Sequence, residues 1–336
     1  MKLLKFILKR IAIFIPQLIA IMLLTFLVVR LIPGSPAEAM AGAFATEEVV
    51  SALEQKMGLD KSIPEQFLIY VKSLLKGDMG TSWYTSNPVT KDIALRFPAT
   101  FELITLSLIF AVIIGVAFGL ATSFRPNSIG AKIGKGYSLF AGAMPDFWIA
   151  LLLIFAFYVK LGIAPAPLGR LSMAVSKPKT ITGMYILDSL LTGNSRALKS
   201  AASQLALPVA TLALCYSGPI MKMTRTIMSD EVNANYVWYA RACGLPTKKV
   251  NRYVVRNGLT PVITFIGTQY GFLFGAATLI EQIFGWGGIG QYAVSAVTNK
   301  DYSAIQGFML VAALFCMVVY LLVDIVYYLI DPRSRT

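Results

Sequence analysis

The sequence predicts an all-α polytopic membrane protein with six transmembrane helices. Of its 336 residues, 56% are hydrophobic, against about 45–50% in soluble domains, and mean hydropathy is +0.67. Several apolar runs exceed the length of about 18 residues that a helix needs to cross a bilayer. The formal net charge is +13, which in a membrane protein reads as cytoplasmic anchoring beside anionic lipid and as a topology signal. No stretch interleaves aromatic and basic residues as a nucleic-acid surface would, so no nucleic-acid partner is expected. Histidine is absent, which removes the commonest catalytic base and metal ligand. Cys215, Cys243 and Cys316 have neither metal-ligand nor disulfide spacing. No catalytic or metal site is expected.

The first span follows the basic start Lys2, Lys5, Lys9 and Arg10 and runs to about Leu31. It is too long for a signal peptide and is read as uncleaved, with its N-terminus in the cytoplasm. Pro33-Gly34-Ser35-Pro36 ends it. Residues 37–98 form an extracytoplasmic segment. Within it Ser62-Ile63-Pro64-Glu65 is a capping box with proline in the first turn. The helix behind it places Phe67, Tyr70, Val71, Leu74 and Leu75 on one face, and Gly77 closes it. It is either an amphipathic cap or a docking ledge for a binding protein.

The second span is expected over about 99–123, followed by a short cytoplasmic loop with Arg125, Lys132 and Lys135. Gly134-Lys135 is not a phosphate loop, because Ile129 stands where a Walker A needs glycine. The third span covers about 138–159 and contains Pro145-Asp146-Phe147-Trp148. Counted along one helix, Asp146 lies about 12 Å into the bilayer. A carboxylate there lines a pathway, has a structural partner, or sits shallower than this count. Residues 160–203 form a second external segment whose positive charges run against the positive-inside rule, a modest conflict for a long segment.

The fourth span, about 203–221, leads into a polar stretch between two spans. From Lys222 to Arg256 it carries Lys222, Arg225, Arg241, Lys248, Lys249, Arg252 and Arg256 against Asp230 and Glu231, which puts it in the cytoplasm. Two short helices are expected there. One covers about 229–243, with Val232, Tyr236, Tyr239, Ala240 and Cys243 on one face, stopped by a left-handed Gly244 and by Pro246. Thr247 caps the other, about 248–256, which ends at Asn257-Gly258. The small residues Ala240, Ala242 and Gly244 make a low knob that a partner can approach closely. Because both ends are tethered to a bilayer, a DNA-binding helix–turn–helix is a poor fit.

The fifth span, about 260–284, carries Gly267, Gly271, Gly275 and Ala276 at helical spacing, which permits close helix contact. Glu281 stands at its outer end, before Phe284-Gly285-Trp286-Gly287-Gly288-Ile289-Gly290. There glycines allow a turn at the membrane surface and Trp286 can anchor at the interface. The sixth span, about 304–330, holds Asp324, which a snorkelling Lys or Arg would balance. Asp331-Pro332-Arg333 then closes the chain in the cytoplasm.

Tyr239-Ala240-Arg241-Ala242-Cys243-Gly244-Leu245 and Arg256-Asn257-Gly258-Leu259-Thr260-Pro261 resemble the "EAA" loop of ABC-importer permeases, without its leading Glu. Glu281-x-x-Phe284-x-Trp286-x-Gly288-x-Gly290, Asp301-Tyr302 and Gln306-Gly307 resemble further signatures of the B-type permeases of the dipeptide/oligopeptide/nickel group. So do Gly77-Asp78-Met79-Gly80, Pro88-Val89, Arg96–Glu102, Pro165–Leu171 and Thr182–Asp188. Asp146 departs from the family's Pro-x-Phe-Trp, where x is usually uncharged. The resemblance implies a type I ABC-importer permease fold. Residues 1–98 would be an N-terminal helix plus external segment, and 99–330 the transmembrane domain with a coupling loop at about 222–258. It implies a heterodimer with a second homologous permease, two cytoplasmic ATPase subunits that hold ATP and Mg, and an extracytoplasmic substrate-binding protein. It assigns ATPase contact to Tyr239, Ala240, Arg241, Ala242, Gly244 and Leu245. Pathway or gate candidates are Asp146, Phe147, Trp148, Gly271, Gly275 and Glu281.

The function expected is therefore a permease subunit of a bacterial inner-membrane importer for di- or oligopeptides, not an enzyme, with both termini inside. Nickel chelates, glutathione or opines are alternative cargoes. A stand-alone secondary transporter is the alternative class; it would need midplane carboxylates and often inverted repeats, and only Asp146 fits.

Overall fold

In the computed structural model, which describes residues 2–31, 35–42 and 44–330, the described residues are mainly helical, with one β-bridge, Thr81 with Pro88, and an irregular stretch over 161–184. The first helix, α1 (Lys2–Leu31), is followed by three short ones: α2 (Pro36–Ala41), α3 (Glu47–Met57) and α4 (Ile63–Leu75). Ser35 with Glu38 and Ser62 with Glu65 form capping boxes. Phe67 and Tyr70 of α4 pack on Phe26 of α1, with ring centroids 5.2 and 6.0 Å apart. Leu75, expected on that face, is exposed. The expected stop at Pro33-Gly34 lies outside the described residues, as does the closing Asp331–Arg333.

Next come α5 (Val89–Phe124), α6 (Ile129–Ala143), α7 (Asp146–Leu153, continuing as a π-turn to Lys160) and α8 (Tyr185–Leu191). They are followed by α9 (Ser195–Val232), α10 (Asn235–Ala242), α11 (Thr247–Phe284), α12 (Ile289–Thr298) and α13 (Tyr302–Ile330). Among the described residues, five helices are long and apolar enough to cross a membrane, or six with the bent pair α6–α7.

Several boundaries differ from the sequence expectation. The third span is not one helix. Pro145 has no N–H and pushes Met144 into an extended conformation, and α6 and α7 meet at 108°. Asp146 is thus in the first turn of a new helix, and a depth counted along one rod does not apply. Lys132 and Lys135 are on α6, so the loop is only Arg125–Ser128. The fourth and fifth spans extend well beyond their apolar stretches. At 38 residues each, α9 and α11 are about 57 Å long against a hydrocarbon core of about 30 Å. Both are longer than that core is thick, and α10 lies between them. The helix after Pro246 does not stop at Asn257-Gly258. Gly258 is there for contact, since a Cβ would come within 2.9 Å of Met228 Sδ on α9. Thr247 is a first-turn residue, and Pro246 holds the cap position.

The helices approach at glycines. A Cβ on Gly115 or Gly119 of α5 would meet α9 at Ile220 (2.7 Å) or Thr224 (2.6 Å), and one on Gly218 would meet Ala141 of α6 at 2.6 Å. The main core gathers α5, α9, α11, α12 and α13 around Leu103, Leu212, Leu273, Phe274, Ile280 and Phe315. A smaller core of Met228, Val237, Val250, Val254 and Val262 sits at the base of α10.

Candidate functional site

The polar stretch folds as an elbow. Asn233 ends α9, its side chain donating to Ser229 O at 2.8 Å, and Ala234 is extended, so the expected helix over 229–243 is broken in two. At the other end of α10, Gly244 N donates to Arg241 O (2.9 Å) and Leu245 N to Ala240 O (3.1 Å). With Gly244 at φ 76°, these two bonds form a Schellman motif, which needs the left-handed conformation that glycine adopts without strain.

Only Val237 of α10 is fully buried, against Val250 and Val254, and the half-buried Ala240 and Leu245 flank it. Tyr239, expected on the inner face with Tyr236 and Cys243, is 72% exposed, and its neighbour Trp238 is 77% exposed. Tyr236 donates to Glu231 at 2.5 Å; burial, then this bond, push its phenol pKa up. Of the six residues expected at the contact, Tyr239, Arg241, Ala242 and Gly244 face outward, while Ala240 and Leu245 anchor them. An aromatic and basic outer face on an apolar base can seat in a groove of a partner protein and transmit force to α9 and α11.

The other candidates do not converge on one site. Asp146 is half-buried and faces the Cys215 thiol of α9, while Phe147 and Trp148 are 44% and 41% exposed. On α11, Gly271 lies against Tyr320 of α13, where a Cβ would be 3.2 Å from the hydroxyl; Gly275 faces open space. Glu281 has no exposed surface. It accepts from Thr100 Oγ1 and from Gln291 N at 2.9 Å, and Thr100 in turn accepts from Ile289 N at 2.9 Å. A Cβ on Gly288 would fall 2.2 Å from the Glu281 carboxylate. Trp286 is 2% exposed and donates to Ala99 O at 3.0 Å. It therefore locks α5 to α11, and is not the interfacial anchor expected.

The Binding-protein-dependent transport system inner membrane component family model matches residues 98–336, and the model of the family's N-terminal region matches residues 3–104. The chain belongs to this family. A probable D,D-dipeptide transport system permease of Escherichia coli K12 is 36% identical over 311 residues, covering 92% of this chain and 91% of the relative. A di/tripeptide permease of Pseudomonas aeruginosa is 36% identical over 335 residues, 99% of each chain. A glutathione permease of Pectobacterium atrosepticum is 34% identical over 333 residues, again 99% of each. As a binding-protein-dependent permease this chain is a transport subunit of an ABC system in the inner membrane, not an enzyme.

In this permease the segments around α8 and at the starts of α5 and α13 are pinned by buried carboxylates to which sequence pattern assigned no role. Glu102 of α5 pairs with Arg170 at 2.9 Å and accepts from Tyr185 N and Ile186 N. Asp188 accepts from Thr182 N, Thr182 Oγ1 and Gly183 N. Burial would raise the Asp188 pKa, but these donors outweigh it and hold it below the usual carboxylate range. Asp301 accepts from Ser82 Oγ and Ala304 N. The available signal was that all of them except Ser82 and Ala304 sit in family-like stretches. Asp324 pairs with Arg10 at 3.1 Å, the snorkelling partner that the sequence called for.

Proposed function

We propose that this chain is one of two related permease subunits of an ATP-driven importer for di- and oligopeptides. The observation that carries this reading is the elbow at 233–246, a Schellman-closed knob held by an apolar base with Trp238, Tyr239 and Arg241 turned outward. Its basic flanks favour a cytoplasmic position, which puts both termini inside and the segments around Glu102 and Asp188 outside.

Two cytoplasmic ATPases, which bind ATP and Mg, receive the elbow through Tyr239, Ala240, Arg241, Ala242, Gly244 and Leu245. A second permease completes the pathway, and an extracytoplasmic binding protein delivers cargo. The pathway candidates are Asp146, Phe147, Trp148, Gly271 and Gly275. Full burial makes Glu281 a better lock for the outer end of α11 than a pore-lining group. Peptide cargo is supported by the dipeptide and di/tripeptide relatives; glutathione is the second reading, from the relative of that name.

The test reconstitutes the chain with its partner subunits in proteoliposomes and follows labelled dipeptide. Uptake that needs ATP, survives collapse of the proton gradient and is competed by unlabelled dipeptide is expected. Loss of uptake on collapsing the gradient with ATP still high would instead make it a secondary transporter, and competition by glutathione alone would move the cargo.

A further inference from the structure

The end of α1 remote from the N-terminus borders a cavity of about 300 Å³ between α3, α4 and the start of α13. Arg30, Lys56 and Lys61 line it together with Gln66, Tyr70 and Ser303, and no lining residue is acidic. The Arg30 guanidinium is half-buried. Its Nε donates to Gln66 Oε1 at 2.9 Å, Nη1 donates to Phe26 O at 3.2 Å, and the group lies 3.4 Å from the Phe26 ring centroid. It belongs to neither of the two ion pairs found among the described residues. A guanidinium taken partly out of water with no carboxylate beside it leaves an unbalanced charge, which is costly unless an anion arrives.

Position selects the anion. At 30 residues, α1 is about 45 Å long against a hydrocarbon core of about 30 Å, so its last turns reach headgroup level. On the side of the helix that continues from Arg30, Leu23, Leu27 and Leu31 are 40%, 38% and 80% exposed, an apolar track at i, i+4 and i+8 that an acyl chain can follow. Burial raises the Tyr70 phenol to about 12, against the opposing effect of Arg30, so its hydroxyl stays a donor.

We infer that this cavity binds the phosphodiester headgroup of an anionic phospholipid. Arg30 takes the phosphate oxygens, Lys56 and Lys61 cover it from the cap, and an acyl chain lies along Leu23, Leu27 and Leu31. A planar guanidinium donates to a phosphate through two parallel bonds, while ammonium groups serve as adjustable point charges.

Lys56 and Lys61 are exposed, so Lys56→Gln and Lys61→Gln should leave the fold intact. The experiment titrates the full chain in detergent with phosphatidylglycerol, phosphatidylethanolamine and inorganic phosphate, read by native mass spectrometry. Phosphatidylglycerol is expected to bind best, weakened about 5-fold by either lysine substitution and about 25-fold by both, as each cation near an anionic surface is worth about that much. Arg30→Gln should remove the adduct. Unchanged phosphatidylglycerol binding in the double variant overturns the proposal. So does displacement of the lipid by millimolar inorganic phosphate, which would make the ligand a free anion.

Discussion

Replacing Gly244 separates the shape of the elbow from the chemistry of its surface. At φ 76°, with nothing within 4 Å of the point a Cβ would occupy, a new side chain meets no neighbour, and its whole cost is conformational. A left-handed residue with a Cβ costs about 1–2 kcal/mol, and a β-branched one is worse. That shifts the balance between the closed Schellman turn and an unwound one by about 5–30-fold. Unwinding would also release the Gly244–Arg241 and Leu245–Ala240 bonds, worth about 0.5–1.5 kcal/mol each. Gly244→Val should therefore lower peptide taken up per ATP hydrolysed, with membrane insertion unchanged, whereas Gly244→Asp, which also tolerates the left-handed region, tests surface charge instead. Gly244→Asn should retain most coupling, because Asn tolerates the left-handed region. The assay measures labelled dipeptide uptake and phosphate release in parallel on the reconstituted transporter. Normal coupling in Gly244→Val would refute the reasoning outright. A harmless Gly244→Ala beside a damaging Gly244→Asp would show that surface charge, not turn geometry, matters.

Two further predictions use contrasts within the fold. Gly267→Ala should destabilise the protein by about 1–3 kcal/mol, because its Cβ would lie 2.1 Å from Val323 Cγ2. Gly275→Ala, facing open space, should be neutral or up to about 1 kcal/mol stabilising; thermal unfolding of the two in detergent checks the pair. If Gly275 lies against the second permease, uptake should fall while the isolated chain's stability does not. Asp188 supplies a pH dependence. Its folded pKa is lowered, so its stabilising contribution is present above the unfolded value of about 3.9 and is lost as pH falls through the lower folded value. Hydrogen exchange over residues 182–194 should accelerate only below about pH 4, and Asp188→Asn should abolish that step.

Apolar length, charge between the spans and turn chemistry were legible in the sequence because each is local. They predicted the helical membrane class, the capping box at Ser62, the left-handed Gly244 and a basic elbow between two spans. Residues whose role depends on a neighbour were not legible. Pro98, Pro208, Pro219 and Pro261 all stay inside helices, whereas Pro145 divides α6 from α7. Proline removes the same N–H in every case, and whether a helix continues depends on what packs around the gap. Gly258 looked like a helix terminator and is a contact point with Met228. Trp286 looked like an interfacial anchor and is buried against Ala99, and the gate candidate Glu281 is buried against Thr100. Sequence alone determined which stretches must leave water. Tertiary packing decided where those helices bend, how far two of them continue past their apolar stretches, and which face of α10 is left for a partner, because each depends on close contact between residues distant in the chain.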